Sequence, residues 1–167
     1  MLIYHPAYDL SHGAFRMLRV MEYTPEHRME WDKFRIIDFF YLFPHLLAGA
    51  TLPRTLTARK NAYGKTASPY NRVPAPRALI QQMAPLHAVI ARSLAAKGFL
   101  APEDLSRGTL VRTEKTVPVE LSKAFAASSA DEPLVRMLAE ELAAIPLNGI
   151  DGLKDRTRLL EHRYGAS

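Results

Sequence analysis

Six histidines, no cysteine and one carboxylate inside an apolar run bound the chemistry open to this chain of 167 residues. The histidines are His5, His12, His27, His45, His87 and His162. No two sit four apart on one helix and no HExxH motif occurs, so the local spacing of a zinc site is missing. Without cysteine there is no thiolate nucleophile, no disulfide framework, no iron–sulfur cluster and no cysteine zinc site. No GxSxG elbow occurs. Ser11 and His12 are adjacent and so point apart on a helix. Tyr63-Gly64-Lys65-Thr66 ends like a phosphate-binding loop, but Arg59 stands where the leading glycine belongs. Glu140-Glu141 and Asp131-Glu132 read as helix-surface and helix-start residues, not as carboxylates gathered round a divalent metal. The expectation is a non-enzyme with no catalytic residue, no metal and no cofactor.

Asp38 lies within the apolar run KFRIIDFFYLFP. A buried carboxylate needs a partner, or its pKa rises and it neutralises. Arg35 and Tyr41 stand three residues to either side, within reach on a helix. The expectation is a satisfied salt bridge and not a catalytic acid.

Charge is concentrated in one place. Residues 54–77 carry Arg54, Arg59, Lys60, Lys65, Arg72 and Arg77 and no acid, while the whole chain is only +5. Pro69, Pro74 and Pro76 fall in the same stretch. It reads as a long basic loop with Tyr63 and Tyr70 interleaved, suited to a phosphate backbone or an acidic protein surface.

Helices must position these groups. Asp9 or Ser11 caps a first helix with Leu10, Ala14, Phe15, Leu18 and Met21 on one side. Thr24-Pro25 starts the next. The central helix, from Glu30 to Phe43, is apolar nearly all round and must be buried by several neighbours. Pro44 breaks it. Pro76 opens a further helix, Pro85 interrupts it as a kink or a corner, and Lys97-Gly98 ends it. Residues 109–113 and 116–119 read as a short β-hairpin limited by Pro118. Helices follow over 119–127, from Asp131 to Ile145, and from Leu153 to Arg163. Met1 to Tyr8 reads as an edge strand. The predicted fold is mainly α with a small β-hairpin, a winged-helix-like helical domain. It divides into an N-terminal helical part (1–50), a basic loop (51–77), a winged-helix-like part (78–128) and C-terminal helices (131–164). The length suits a single domain. No window approaches about 18 uncharged apolar residues, and the N-terminus lacks the layout of a signal peptide. A soluble cytoplasmic protein is expected.

Three segments carry a resemblance: MLIYHPAYDLSHGAFRML, KFRIIDFFYLFPHLL and GIDGLKDRTRLLEHRYG. It is strongest at His5 to Asp9, at Arg35 to Phe39 with Phe43-Pro44, and at Gly152-Leu153-Lys154 with Arg156, Arg163 and Tyr164. The chain resembles middle component 5 of the prokaryotic ABC-three-component systems. The resemblance implies an adaptor between an SMC- or Rad50-like ABC ATPase and an effector, often a nuclease, in defence against phage or plasmid DNA. Phe43, Pro44, Leu46, Leu47, Leu153, Lys154, Arg156, Arg163 and Tyr164 are then the candidate partner contacts. The six basic residues are the candidate DNA contacts. A homodimer stays open, and no membrane contact is expected. The alternative is a self-sufficient winged-helix DNA-binding regulator, for which Arg92, Ser93 and Lys97 offer a thin recognition surface.

Overall fold

The computed structural model describes residues 6–160. The expected edge strand and residues His162, Arg163 and Tyr164 lie outside them wholly or in part. Among the described residues the chain is mainly helical with one two-stranded antiparallel sheet, consistent with a winged-helix-like outline.

Helix α1 (Leu10–Tyr23) starts as expected: the Asp9 carboxylate accepts from the His12 backbone N–H at 2.8 Å. Its middle presses against α4. A Cβ on Gly13 would stand 2.4 Å from Ile90 Cδ1, so glycine lets the two helices close up. At the end of α1, Glu26 (φ 58°) and His27 (φ 52°) take left-handed backbone conformations. That costly turn re-aims the chain into strand β1 (Arg28–Glu30), where a helix start was expected. Helix α2 (Trp31–Leu42) is the centre of the core, with every residue from Phe34 to Tyr41 buried. Pro44 ends it, and a 3-10 stretch, Pro44–Gly49, follows.

Residues 54–77 are not one loop. Helix α3 (Arg54–Gly64) occupies the first half. Its residues favour helix, but only Leu56 is buried, so no apolar period announces it. The prolines fall after Gly64, in the connection to α4. Helix α4 (Pro76–Ala96) continues unbroken across Pro85. Pro85 is on the exposed face, where water can serve the carbonyl that loses its donor. Gly98 (φ 85°) turns the chain out of the helix, and the short helix α5 (Pro102–Ser106) follows.

Strand β2 (Thr109–Val111) pairs with β1, with Met29 opposite Leu110 and both side chains buried. The expected local hairpin is therefore replaced by a pairing between distant segments. Residues 116–119 form no strand: Pro118 has no N–H to offer, and Val119 opens α6 (Val119–Ala127). Arg112 takes the space beside them, donating to the carbonyls of Phe99, Thr113 and Lys115.

Helix α7 (Glu132–Arg136) passes into a π-helical turn, Met137–Leu142. Of the stripe Leu134, Leu138, Leu142 and Ile145 that the helical spacing predicts, the three leucines are buried and Ile145 is half-buried. Helix α8 (Leu153–Thr157) is shorter than expected, because Arg158 adopts φ 55° and ends it. Gly152 ahead of it is required for space: a Cβ would lie 2.5 Å from the Asn148 carbonyl oxygen. Among the described residues no helix is long and apolar enough to cross a membrane.

Candidate functional site

Four polar side chains tie α1 to α2 in register. Arg16 and Arg19 are three apart on α1, and Asp38 and Tyr41 are three apart on α2, so each pair lies on one helical face. Arg16 grips Asp38 with both arms: Nε to Oδ1 at 2.7 Å and Nη2 to Oδ2 at 3.1 Å. His87 of α4 adds a contact from Nε2 to Oδ2 at 2.8 Å. His12 Nδ1 stands 2.7 Å from Arg16 Nη1. Asp38, Arg16 and His87 are 1%, 1% and 2% exposed. One turn along, Arg19 donates to the Tyr41 hydroxyl at 2.8 Å, to Asp131 and to the Ser128 carbonyl at 2.7 Å. Tyr41 in turn donates to Asp131 at 3.1 Å.

The partners of Asp38 are thus Arg16 and His87, not Arg35 and Tyr41. Arg35 turns away to Asp32 at 3.2 Å and to the Ile80 carbonyl at 3.4 Å. The true partners lie 22 and 49 residues away in sequence, where helical spacing carries no signal. Burial pushes the Asp38 pKa up, but the Arg16 charge and the Arg16 and His87 hydrogen bonds outweigh it and hold it at about 2. Tyr41 is pushed up to about 12 by burial and by Asp131, against the pull of Arg19. Asp38, Arg16 and His87 are buried and bonded to one another, so their interactions tie α1, α2 and α4 together. This seam is a structural lock. Among the described residues no cluster of three or more His, Cys, Asp or Glu could hold a metal.

The six candidate DNA contacts divide in two. Arg59 makes a forked pair with Glu141, 2.5 Å at each arm, and Lys60 donates to the Ala50 carbonyl at 2.5 Å. Both anchor α3 to the body. Arg54, Lys65, Arg72 and Arg77 are exposed and hold no ion pair among the described residues. Tyr70 beside them is 99% exposed.

The candidate partner contacts divide as well. Phe43, Leu47 and Leu153 are 7%, 0% and 0% exposed and belong to the core. Pro44 and Leu46 are half-buried. Lys154 pairs with Asp32 at 3.1 Å. Arg156 donates to the Thr51 carbonyl at 2.8 Å while its own carbonyl accepts from the Thr51 N–H at 3.0 Å. This clip brings the 44–52 segment and the end of α8 together. A cleft of about 420 Å³ opens at the junction. His45 and Leu159, which fall within two of the resemblance segments, line it together with Ala67, which falls in none.

The described residues present a helical body tied at the α1–α2 seam, exposed cations at Arg54, Lys65, Arg72 and Arg77, and a cleft beside the 3-10 stretch. Comparison with protein families places the chain among the middle components of ABC-three component systems. The match is to middle component 5 of the ABC-three component (ABC-3C) system and covers residues 2–165. The chain belongs to that family. No curated protein and no solved structure matches it.

Proposed function

We propose that this chain is a single-domain, non-catalytic accessory subunit. It joins an SMC- or Rad50-like ABC ATPase to an effector protein in a cytoplasmic complex that acts against phage or plasmid DNA. The observation that carries the reading is the family match over 2–165, which makes the chain one component of several. The site supports it. The strongest titratable constellation, around Asp38, is spent on tying helices together, while the free charges face outward. DNA held by the ATPase is contacted through Arg54, Lys65, Arg72 and Arg77. The self-sufficient regulator has less support. Its wing would be a hairpin, and β2 instead pairs with β1 from the other end of the sheet's sequence span.

The test is co-expression with the ATPase and effector of the same system, followed by affinity purification and native mass spectrometry. A stable complex of defined stoichiometry is the expected result. A lone chain that binds a specific short duplex overturns the reading.

A further inference from the structure

Two tyrosines stand among the cations of residues 54–77, and the fold treats them differently. Tyr63 is half-buried and packs against the core. Tyr70 is 99% exposed, more than any other large apolar side chain among the described residues, so both faces of its ring are open to solvent. The backbone that carries this ring is tied down. The 3-10 turn Pro69–Asn71 is closed by a two-way cap. Asn71 Oδ1 accepts from the Ser68 N–H at 2.8 Å, and Ser68 Oγ accepts from the Tyr70 N–H at 3.3 Å. The Asn71 side chain also donates to the Thr66 carbonyl at 3.0 Å. Both ends of the turn are anchored to the body. Gly64 abuts the 3-10 stretch Pro44–Gly49 so closely that a Cβ on it would stand 2.7 Å from Ala48 Cβ. Val73 packs against the core on the other side.

The same bonds set the charges. Asn71 closing onto Thr66 joins the two ends of the turn. Lys65 enters that junction beside Thr66, and Arg72 leaves it beside Asn71. Both are exposed and hold no ion pair among the described residues. No aspartate or glutamate occurs in residues 54–77. The turn therefore presents an open aromatic ring with two free cations at its base. Its backbone is ordered before anything binds, so binding orders little more.

We infer that this turn is a stacking site for an unpaired DNA strand, in which a base lies on Tyr70 while Lys65 and Arg72 meet the neighbouring phosphates. A single strand answers both features, because it carries a charge at each phosphate and leaves its base faces open. A duplex brings the phosphates, but its bases are stacked on one another and leave the ring without a partner. An acidic protein segment meets the cations, yet its carboxylates gain nothing from the electron-rich face of an aromatic ring. The inference rests on the reading that the basic face meets DNA, and it names the form of DNA met there.

The probe is a fluorescein-labelled oligothymidine strand, and its comparison is a mixed-sequence duplex of equal length. Binding of each to the 167-residue chain is read by fluorescence anisotropy over a range of salt. Tyr70→Ala removes a ring that supports nothing in the fold, which circular dichroism checks. It weakens the strand about tenfold, the scale of one base stacked on an aromatic side chain, and leaves duplex binding unchanged. Its effect on the strand is the same at every salt concentration, and Tyr70→Trp restores the affinity. Lys65→Ala with Arg72→Ala instead flattens the salt dependence, by up to about two counterions. A strand affinity indifferent to Tyr70→Ala, or a duplex affinity that falls as far as the strand's, overturns the inference and leaves DNA contact through the face standing. An oligouridine strand or an acidic peptide that binds tighter than oligothymidine at the same salt also overturns it. No binding of strand or duplex at low salt removes DNA contact and the inference together. The accessory reading is scored separately, by co-purification of the system's ATPase or effector with the chain.

Discussion

The seam between α1 and α2 and the face formed by α3 and the start of α4 handle positive charge in opposite ways. In the seam Arg16 and Arg19 are almost wholly buried, and every charge meets a carboxylate, a hydroxyl or a carbonyl. On the face, Arg54, Lys65, Arg72 and Arg77 stand in water with no ion pair among the described residues. A buried charge survives only when paired, so the seam's arginines are structural and sensitive to change. A solvated charge costs the fold little to keep or to remove, so these residues can change without loss of the fold. The difference separates residues that hold the molecule together from those it can do without for stability.

The contrast can be broken most forcefully at Asp38. Asp38→Ala leaves Arg16 buried without its counter-ion and is expected to cost about 3–5 kcal/mol. Urea denaturation measures the loss, and a cost below about 1 kcal/mol would mean the seam is not a lock. Gly152→Ala is next. The added methyl meets the Asn148 backbone and not a yielding side chain, so about 1–3 kcal/mol is expected, read as a lower melting temperature. Acid acts on the same seam. Asp38 titrates at about 2 when folded, against an ordinary 3.8. The stability it confers is complete above the ordinary value. It is lost as pH falls from about 4 through 2, amounting to about 2 kcal/mol. Unfolding followed across that window in parallel with Asp38→Asn isolates this share, because the variant lacks it. The smallest effect on stability belongs to the face. Arg54, Lys65, Arg72 and Arg77 changed together to alanine should leave the fold within about 0.5 kcal/mol per site. If DNA is held there, the same change flattens the dependence of affinity on salt by up to about four counterions. An unchanged slope would take DNA off this face and leave the cations to an acidic protein.

Local signals were readable in the residues, and distant pairings were not. The Asp9 cap, the all-round apolar α2, the stop at Pro44 and the exit at Gly98 each depend on neighbours within one or two helical turns, and each stands where it was expected. The β1–β2 pair joins residues about eighty apart, so nothing near Thr109 names Arg28 as its neighbour. Helix α3 was read as loop because one buried leucine makes no period; Arg59 and Lys60, read as free charges, are its anchors. At Asp38 the need for a partner was legible, but the partner's identity was not. The resemblance motifs show the same division. Arg156 is a candidate partner contact by resemblance and also clips the chain at Thr51, while Gly152 of the same motif leaves room for the Asn148 carbonyl. Among the described residues Leu46 is the one candidate partner contact that lines the cleft, and no local pattern announces the cleft itself, since it is assembled from pieces of α2, the 3-10 stretch, α3, α4, the end of α8 and Leu159.

The clip between Thr51 and Arg156 spans 105 residues. Translation runs from one end, so a nascent chain makes Thr51 long before it makes Arg156, Thr157 or Leu159. Helices α1 to α4 can pack as they emerge, but the cleft has no second wall until those late residues arrive. A chain stalled or cut before Arg156 would present the basic face without the pocket beside it. The second wall of the cleft thus forms only after the chain has been made through Leu159.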